Sequence, residues 1–153
     1  EARGSNGESF MTSELESSWQ ALCARWDQSG YAALSEDERV WFNLRSLIDS
    51  VENGGLISYF YNSCADTFED CRTALRRLNA LNILTHVDRV AGLFGADVPR
   101  TVDERNAVIN SWPHDDARGM LLDEVDAELM PLVRGLDKQL EFLMVERGLV
   151  GRG

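Results

Sequence analysis

The chain has 153 residues, 44% of them hydrophobic, with 26 acidic against 15 basic residues and a formal net charge of −11. That length suits one domain with a single core, and no apolar run approaches the ~20 residues needed to span a bilayer. The acidity disfavours non-specific binding to nucleic acid or to an anionic membrane. No basic stretch followed by an apolar one opens the chain, so no signal peptide is expected. Cys23, Cys64 and Cys71 cannot all pair within one chain and show no metal-ligand spacing with His86 or His114. They are expected as reduced thiols in a cytoplasmic protein.

In chain order, residues 1–12 read as a disordered leader or a cloning remnant, with Met11 as a candidate natural start. Residues 13–150 read as one helical domain. Ser13 and Glu16 form a capping box, and Leu15, Trp19, Leu22 and Trp26 give an amphipathic helix that stops at Gln28-Ser29-Gly30. Ser35 and Glu38 form a second capping box. Val40, Trp41, Leu44, Leu47, Ile48 and Val51 follow as a helical stripe. This helix is expected to end at Asn53-Gly54-Gly55, where a glycine takes φ > 0 as a left-handed cap.

Leu56 to Tyr61 is short and apolar, so its period does not separate helix from strand. No partner strand is evident, and a short helix carrying Tyr59, Phe60 and Tyr61 into the core is expected. Phe68, Cys71, Leu75 and Leu78 then mark a helix whose other face carries Arg72, Arg76 and Arg77, the one basic cluster. Ile83, Leu84, Val87, Val90 and Phe94 mark the next, with His86 expected as a lone surface histidine. Thr101 and Glu104 cap a helix that leads to Trp112. Between Pro113 and Met130 stand Asp115, Asp116, Asp123, Glu124, Asp126 and Glu128 against Arg118 alone. Pro131 suits the first turn of a new, final helix. The sum is an all-α single compact domain of about seven or eight helices.

The stretch Asn53-Gly54-Gly55-Leu56-Ile57-Ser58-Tyr59-Phe60-Tyr61-Asn62 resembles the centre of a bacterial family of small helical domains named after a DNA mimic protein. The family pattern is roughly Asn-Gly-Gly-Phe-x-Gln-Tyr-Phe-x-Asn. Asn53, Gly54, Gly55, Tyr59, Phe60 and Asn62 match it, while Leu56 replaces its Phe and Ser58 its Gln. Ala33-Leu34-Ser35-Glu36, Val40-Trp41-Phe42 and Leu122-Asp123-Glu124-Val125-Asp126-Ala127-Glu128 are also similar to the family, over roughly residues 13–147. The resemblance implies a helical fold. In the namesake an acidic surface imitates the charge of DNA and occupies a DNA-binding regulator.

The residues themselves point away from the common enzyme chemistries. Two histidines outside any motif give no base for a nucleophilic triad. His114-Asp115-Asp116 cannot all face one ion on regular structure. Gly54-Gly55 lacks the Lys-Ser/Thr sequel of a phosphate loop. No catalytic residue, metal or cofactor is expected. Duplex DNA carries one charge per ~1.7 Å of axis, whereas carboxylates at i, i+4 on a helix advance about 6 Å per charge. A mimic therefore needs acids from two or more helices. The candidates are Glu36 to Glu38 with Asp49 and Glu52, and the set Asp115, Asp116, Asp123, Glu124, Asp126 and Glu128 as partner-binding residues. Asn53, Gly54 and Gly55 are expected to be structural.

The expected function is a non-enzymatic module that binds a basic protein, such as a DNA-binding regulator, with no direct contact to nucleic acid or membrane and with a homodimer as an open alternative. An antitoxin-like or immunity-like inhibitor is the second reading. A metal-dependent hydrolase at Asp115 and Asp116 is the third.

Overall fold

In the computed structural model, residues 5–113 and 116–150 are described, with side chains from residue 13 onward. Among them the chain forms seven α-helices, three short 3-10 turns and no strand. The helices are α1 (Ser5–Ser29), α2 (Glu36–Gly54), α3 (Leu56–Phe60), α4 (Phe68–Arg77), α5 (Leu81–Ala91), α6 (Val102–Ser111) and α7 (Ala117–Glu146). The all-α reading holds, and Leu56 to Phe60 is helix. The chain forms two compact units. One gathers Glu1–Phe42 and Gln139–Gly153, the other Asn43–Lys138, with the boundaries inside α2 and α7.

The first unit buries Leu22, Leu34, Val40, Trp41, Phe42, Leu140, Met144 and Val150. Its aromatic residues cluster about Phe42, with Trp26 at 5.4 Å and Tyr31 at 5.9 Å between ring centroids, while Trp19 meets Trp41 at 5.6 Å. The expected box at the start of α2 is present. Ser35 N–H donates to Glu38 Oε1 at 3.0 Å, and Glu38 N–H donates to Ser35 Oγ at 3.2 Å. Glu38 is buried and is also met by the Arg25 guanidinium. Burial pushes the Glu38 carboxyl up, but the Ser35 hydrogen bonds and the Arg25 charge outweigh it and hold it below the ordinary value. The first helix differs from the expectation. It begins at Ser5, so Ser13 lies inside it rather than at its cap.

In the second unit α2 ends at Gly54, and Gly55 supplies the left-handed residue with φ of 81°. Leu56, Tyr59 and Phe60 are fully buried, and Phe60 packs on Phe68 and Phe94 at 5.2 and 5.3 Å. Tyr61, expected in the core with them, is 42% exposed and donates its hydroxyl to Asn110 Oδ1 at 3.0 Å. On so short a helix the buried side admits two of the three consecutive aromatics.

Thr101 caps α6 as read from the sequence, its hydroxyl oxygen accepting from the Glu104 N–H at 3.3 Å. No new helix starts at Pro131. One helix runs unbroken from Ala117 to Glu146, with the proline inside it. A proline here deprives the Ala127 carbonyl of its helical donor. Both Ala127 and Pro131 are exposed, so solvent can reach the freed carbonyl.

Candidate binding site

The ten residues from Asn53 to Asn62 are fixed at both ends by side chains distant in sequence. At the start, the backbone N–H of Leu56, an unpaired donor in the first turn of α3, donates to Asp126 Oδ1 at 2.9 Å. The preceding residue must be glycine for two reasons. Its φ is positive, and a Cβ on it would collide with Asp126 Oδ2. Asn53 and Asn62 return their side-chain amides to the carbonyls of Asp49 and Ser58, each at 2.8 Å. Asn53, Gly55 and Asn62 thus hold backbone geometry. A Cβ on Gly54 would stand 3.0 Å from Ser58 Cβ, so it too is closely confined.

At the other end stands Arg105 of α6, which is completely buried. Its guanidinium donates to the carbonyls of Phe60 at 2.8 Å, Asn62 at 2.9 Å and Pro99 at 3.0 Å, and to Asp66 Oδ1 at 2.6 Å. A buried guanidinium is tolerable because its planar fork is satisfied in four directions. Sequence reasoning missed this residue. The signal was its register: Arg105 occupies the apolar stripe of Val102, Ile109 and Trp112 at spacings of three, four and three. A charge on a core stripe marks a buried hub.

The predicted acidic set divides. Asp126 is half-buried and occupied with α3. Desolvation pushes its carboxyl up against the lowering effect of the Leu56 N–H, and Asp123 nearby pushes it further. Glu128 meets His86 Nδ1 at 3.3 Å and Arg89 at 3.6 Å, and Glu124 meets Arg89 at 3.5 Å. His86 is accordingly not a lone surface histidine but half-buried beside these carboxylates. Asp116 pairs with Arg118, which also lies over the Trp112 ring at 5.5 Å. Asp123 is exposed. Asp115 and His114 lie outside the described residues. Of the second candidate set, Glu38 is buried in its capping box, and Asp49 meets Arg45 at 3.2 Å.

A groove of about 1030 Å³ opens instead against α4 and the segment leading into α6. Five carboxylates line it, Asp66, Glu69, Asp70, Asp97 and Glu104, with Arg72 and Arg100 as the opposing cations. Glu69 and Asp88 engage Arg72 at 3.3 and 3.0 Å. Arg105 holds Asp66 from behind and the Pro99 carbonyl beside it, so both walls are tied to one buried cation. The sequence scattered these acids over two segments, and only the fold brings them together.

Among the described residues no group of three or more His, Cys, Asp or Glu is placed to hold a metal ion, and no helix is long and apolar enough to cross a membrane. None of the three cysteines forms a disulfide. Burial pushes the Cys64 and Cys71 thiols up, Cys71 to about 12, so neither supplies a thiolate at neutral pH.

Compared with known proteins, residues 32–147 match the profile of a family described as DMP19-like protein. No curated protein and no solved structure matches the chain.

Proposed function

Because this chain belongs to the DMP19-like family, which is the DNA mimic family, we propose that it is an acidic binding protein whose partner is a basic protein of the DNA-binding kind, seated in the groove beside α4 and α6. The observation that carries this reading is the groove itself, where five carboxylates face two arginines. It gathers its carboxylates on one concave surface, where Asp66 and Glu69 meet arginines of the same chain just as Asp116, Glu124 and Glu128 do on α7. Complementary charge of this sort steers a partner and sets specificity more than it adds raw affinity. The binding involves no covalent chemistry, and the protein acts by occupying a surface that would otherwise meet phosphates.

The test is affinity capture from the native cell extract with the parent chain and two variants. One neutralises the groove at Asp70→Asn, Asp97→Asn and Glu104→Gln. The other neutralises α7 at Asp116→Asn, Asp123→Asn, Glu124→Gln and Glu128→Gln. The groove variant should lose the partner while the α7 variant keeps it. Binding of the parent should fall steeply with salt, since exposed charges are screened over about 8 to 10 Å near physiological ionic strength. Duplex DNA should displace this protein from the partner. Equal capture by both variants, or simultaneous binding of DNA and this protein, would overturn the reading. Loss of the partner from the α7 variant alone would move the site to that helix. Capture of a toxin whose action is blocked without competition from DNA would favour an immunity-like role.

A further inference from the structure

The groove lies wholly within the unit Asn43–Lys138, and its two sides hold their charges differently. On α4, Glu69 meets Arg72, and Asp66 just ahead of that helix meets the buried Arg105. On the other side, Asp97, Arg100 and Glu104 are exposed. None of the three has an ion pair or a side-chain hydrogen bond among the described residues. Arg100 is the anomaly. It stands just ahead of Thr101, the cap of α6, where the helix dipole favours acids over bases. Asp103 and Glu104 suit that end, whereas a cation does not. The backbone around Arg100 is also fixed. Pro99 before it has a restricted φ, and its carbonyl accepts from the Arg105 guanidinium at 3.0 Å. Thr101 after it caps α6, and its carbonyl accepts from the Arg105 backbone N–H at 3.0 Å. Local stability does not account for a base at this position.

We propose that Arg100 is the specificity residue of this groove: it stands in for a hydrogen-bond donor on a base edge, while Asp97 and Glu104 stand in for phosphates. The inference rests on the reading of the groove as the seat of a basic, DNA-binding partner. The partner's face then carries a carboxylate between its lysines and arginines. Such carboxylates belong to sequence-reading surfaces, where Asp or Glu accepts from the N4 amino group of cytosine. A guanidinium offers that carboxylate a stronger, charge-assisted donor. It also repels a chain that places a base there, so a plain polycation is disfavoured. Specificity is a difference of two affinities, and the repulsive contact counts as much as the attractive one. The fixed backbone on both sides of Arg100 limits the ordering cost of binding.

Two synthetic arginine peptides of identical composition test it, titrated calorimetrically into the full chain at low ionic strength. One carries its single glutamate between the arginines, and the other carries it at the end of an unbroken arginine run. Both have the same net charge, so only the pattern differs. The parent should bind the first about threefold more tightly, the scale of one exposed ion pair. Arg100→Gln should remove the preference, and Arg100→Glu should reverse it. Asp97→Asn with Glu104→Gln should weaken both peptides alike. Arg100→Gln should also melt no lower than the parent, because Arg100 holds nothing in the fold. A parent without preference, or a preference that survives Arg100→Glu, would overturn the inference and leave the groove standing. So would a marked loss of stability in Arg100→Gln. Failure of either peptide to bind, or binding indifferent to the loss of Asp97 and Glu104, would overturn the groove reading and this inference with it.

Discussion

Two carboxylates in this molecule do the same work by different means. Glu38 receives the Ser35 N–H ahead of α2, and Asp126 receives the Leu56 N–H in the first turn of α3. The first bond spans three residues and the second spans seventy. Glu38 has an arginine beside it and a carboxyl held down; Asp126 has no ion pair among the described residues and a carboxyl pushed up by burial. A local box needs only its own four residues, so its electrostatics are favourable wherever it folds. A distant cap depends on tertiary packing to deliver the carboxylate, and here it delivers it into a site that disfavours charge. Local ties are therefore robust and legible, while long-range ties are conditional and concealed.

The largest effect should come from the other long-range tie. Arg105→Leu removes four donated hydrogen bonds and leaves three carbonyls and Asp66 without that partner. The expected cost is roughly 3 kcal/mol or more, read as a lowered urea midpoint. Arg105→Lys should recover only part of it, because an ammonium cannot reproduce the planar fork. Full stability in the leucine variant would show the hub to be incidental.

Gly55→Ala comes next. The positive φ costs about 1 kcal/mol for a residue with a side chain, and displacement of Asp126 from its cap costs about 1 kcal/mol more. In an Asp126→Ala background the same substitution should lose only the first of these. A double-mutant cycle in thermal unfolding measures the difference as a coupling. Strict additivity would mean that Gly55 and Asp126 are neighbours without being linked.

The smallest effects concern pH, and they should have opposite sign. The folded-state Glu38 carboxyl lies below its ordinary 4.5, so its contribution is present above that pH and is lost as pH falls through the folded value. The folded-state Asp126 carboxyl lies above its ordinary 3.8. Between those two values the folded chain holds a proton that the unfolded chain has released, so stability rises as pH falls through that window. Glu38→Gln should flatten the loss of stability in acid, and Asp126→Asn should steepen it, in urea titrations from neutral pH to about pH 3. A shift in the same direction for both variants would erase the distinction between the two carboxylates.

The sequence revealed what depends on neighbours. The Ser35 box, the Thr101 cap, the glycine stop after α2 and the helical stripes all stand where period and capping chemistry put them. It misplaced what neighbours do not decide. Pro131 looked like a helix start because its local preference says so, yet α7 continues through it with the unpaired carbonyl on the exposed edge. Asp126 looked like one more surface acid among Asp123, Glu124 and Glu128, because only the position of α3 distinguishes it. The groove was hidden for the same reason, since its acids lie on two segments some thirty residues apart. Arg105 alone was readable in retrospect, as a charge standing in an apolar register.

The span of the Leu56 to Asp126 bond also has a meaning in time. A ribosome adds about 5–20 residues per second. The turn at Asn53-Gly54-Gly55 is therefore made on the order of 4–14 s before the residue that caps it. All the residues of the Ser35 box are present once Glu38 is joined to the chain. Until Asp126 is made, the Leu56 N–H has no carboxylate from the last helix to receive it. The last long helix is thus the step that completes a site laid down near the middle of the chain.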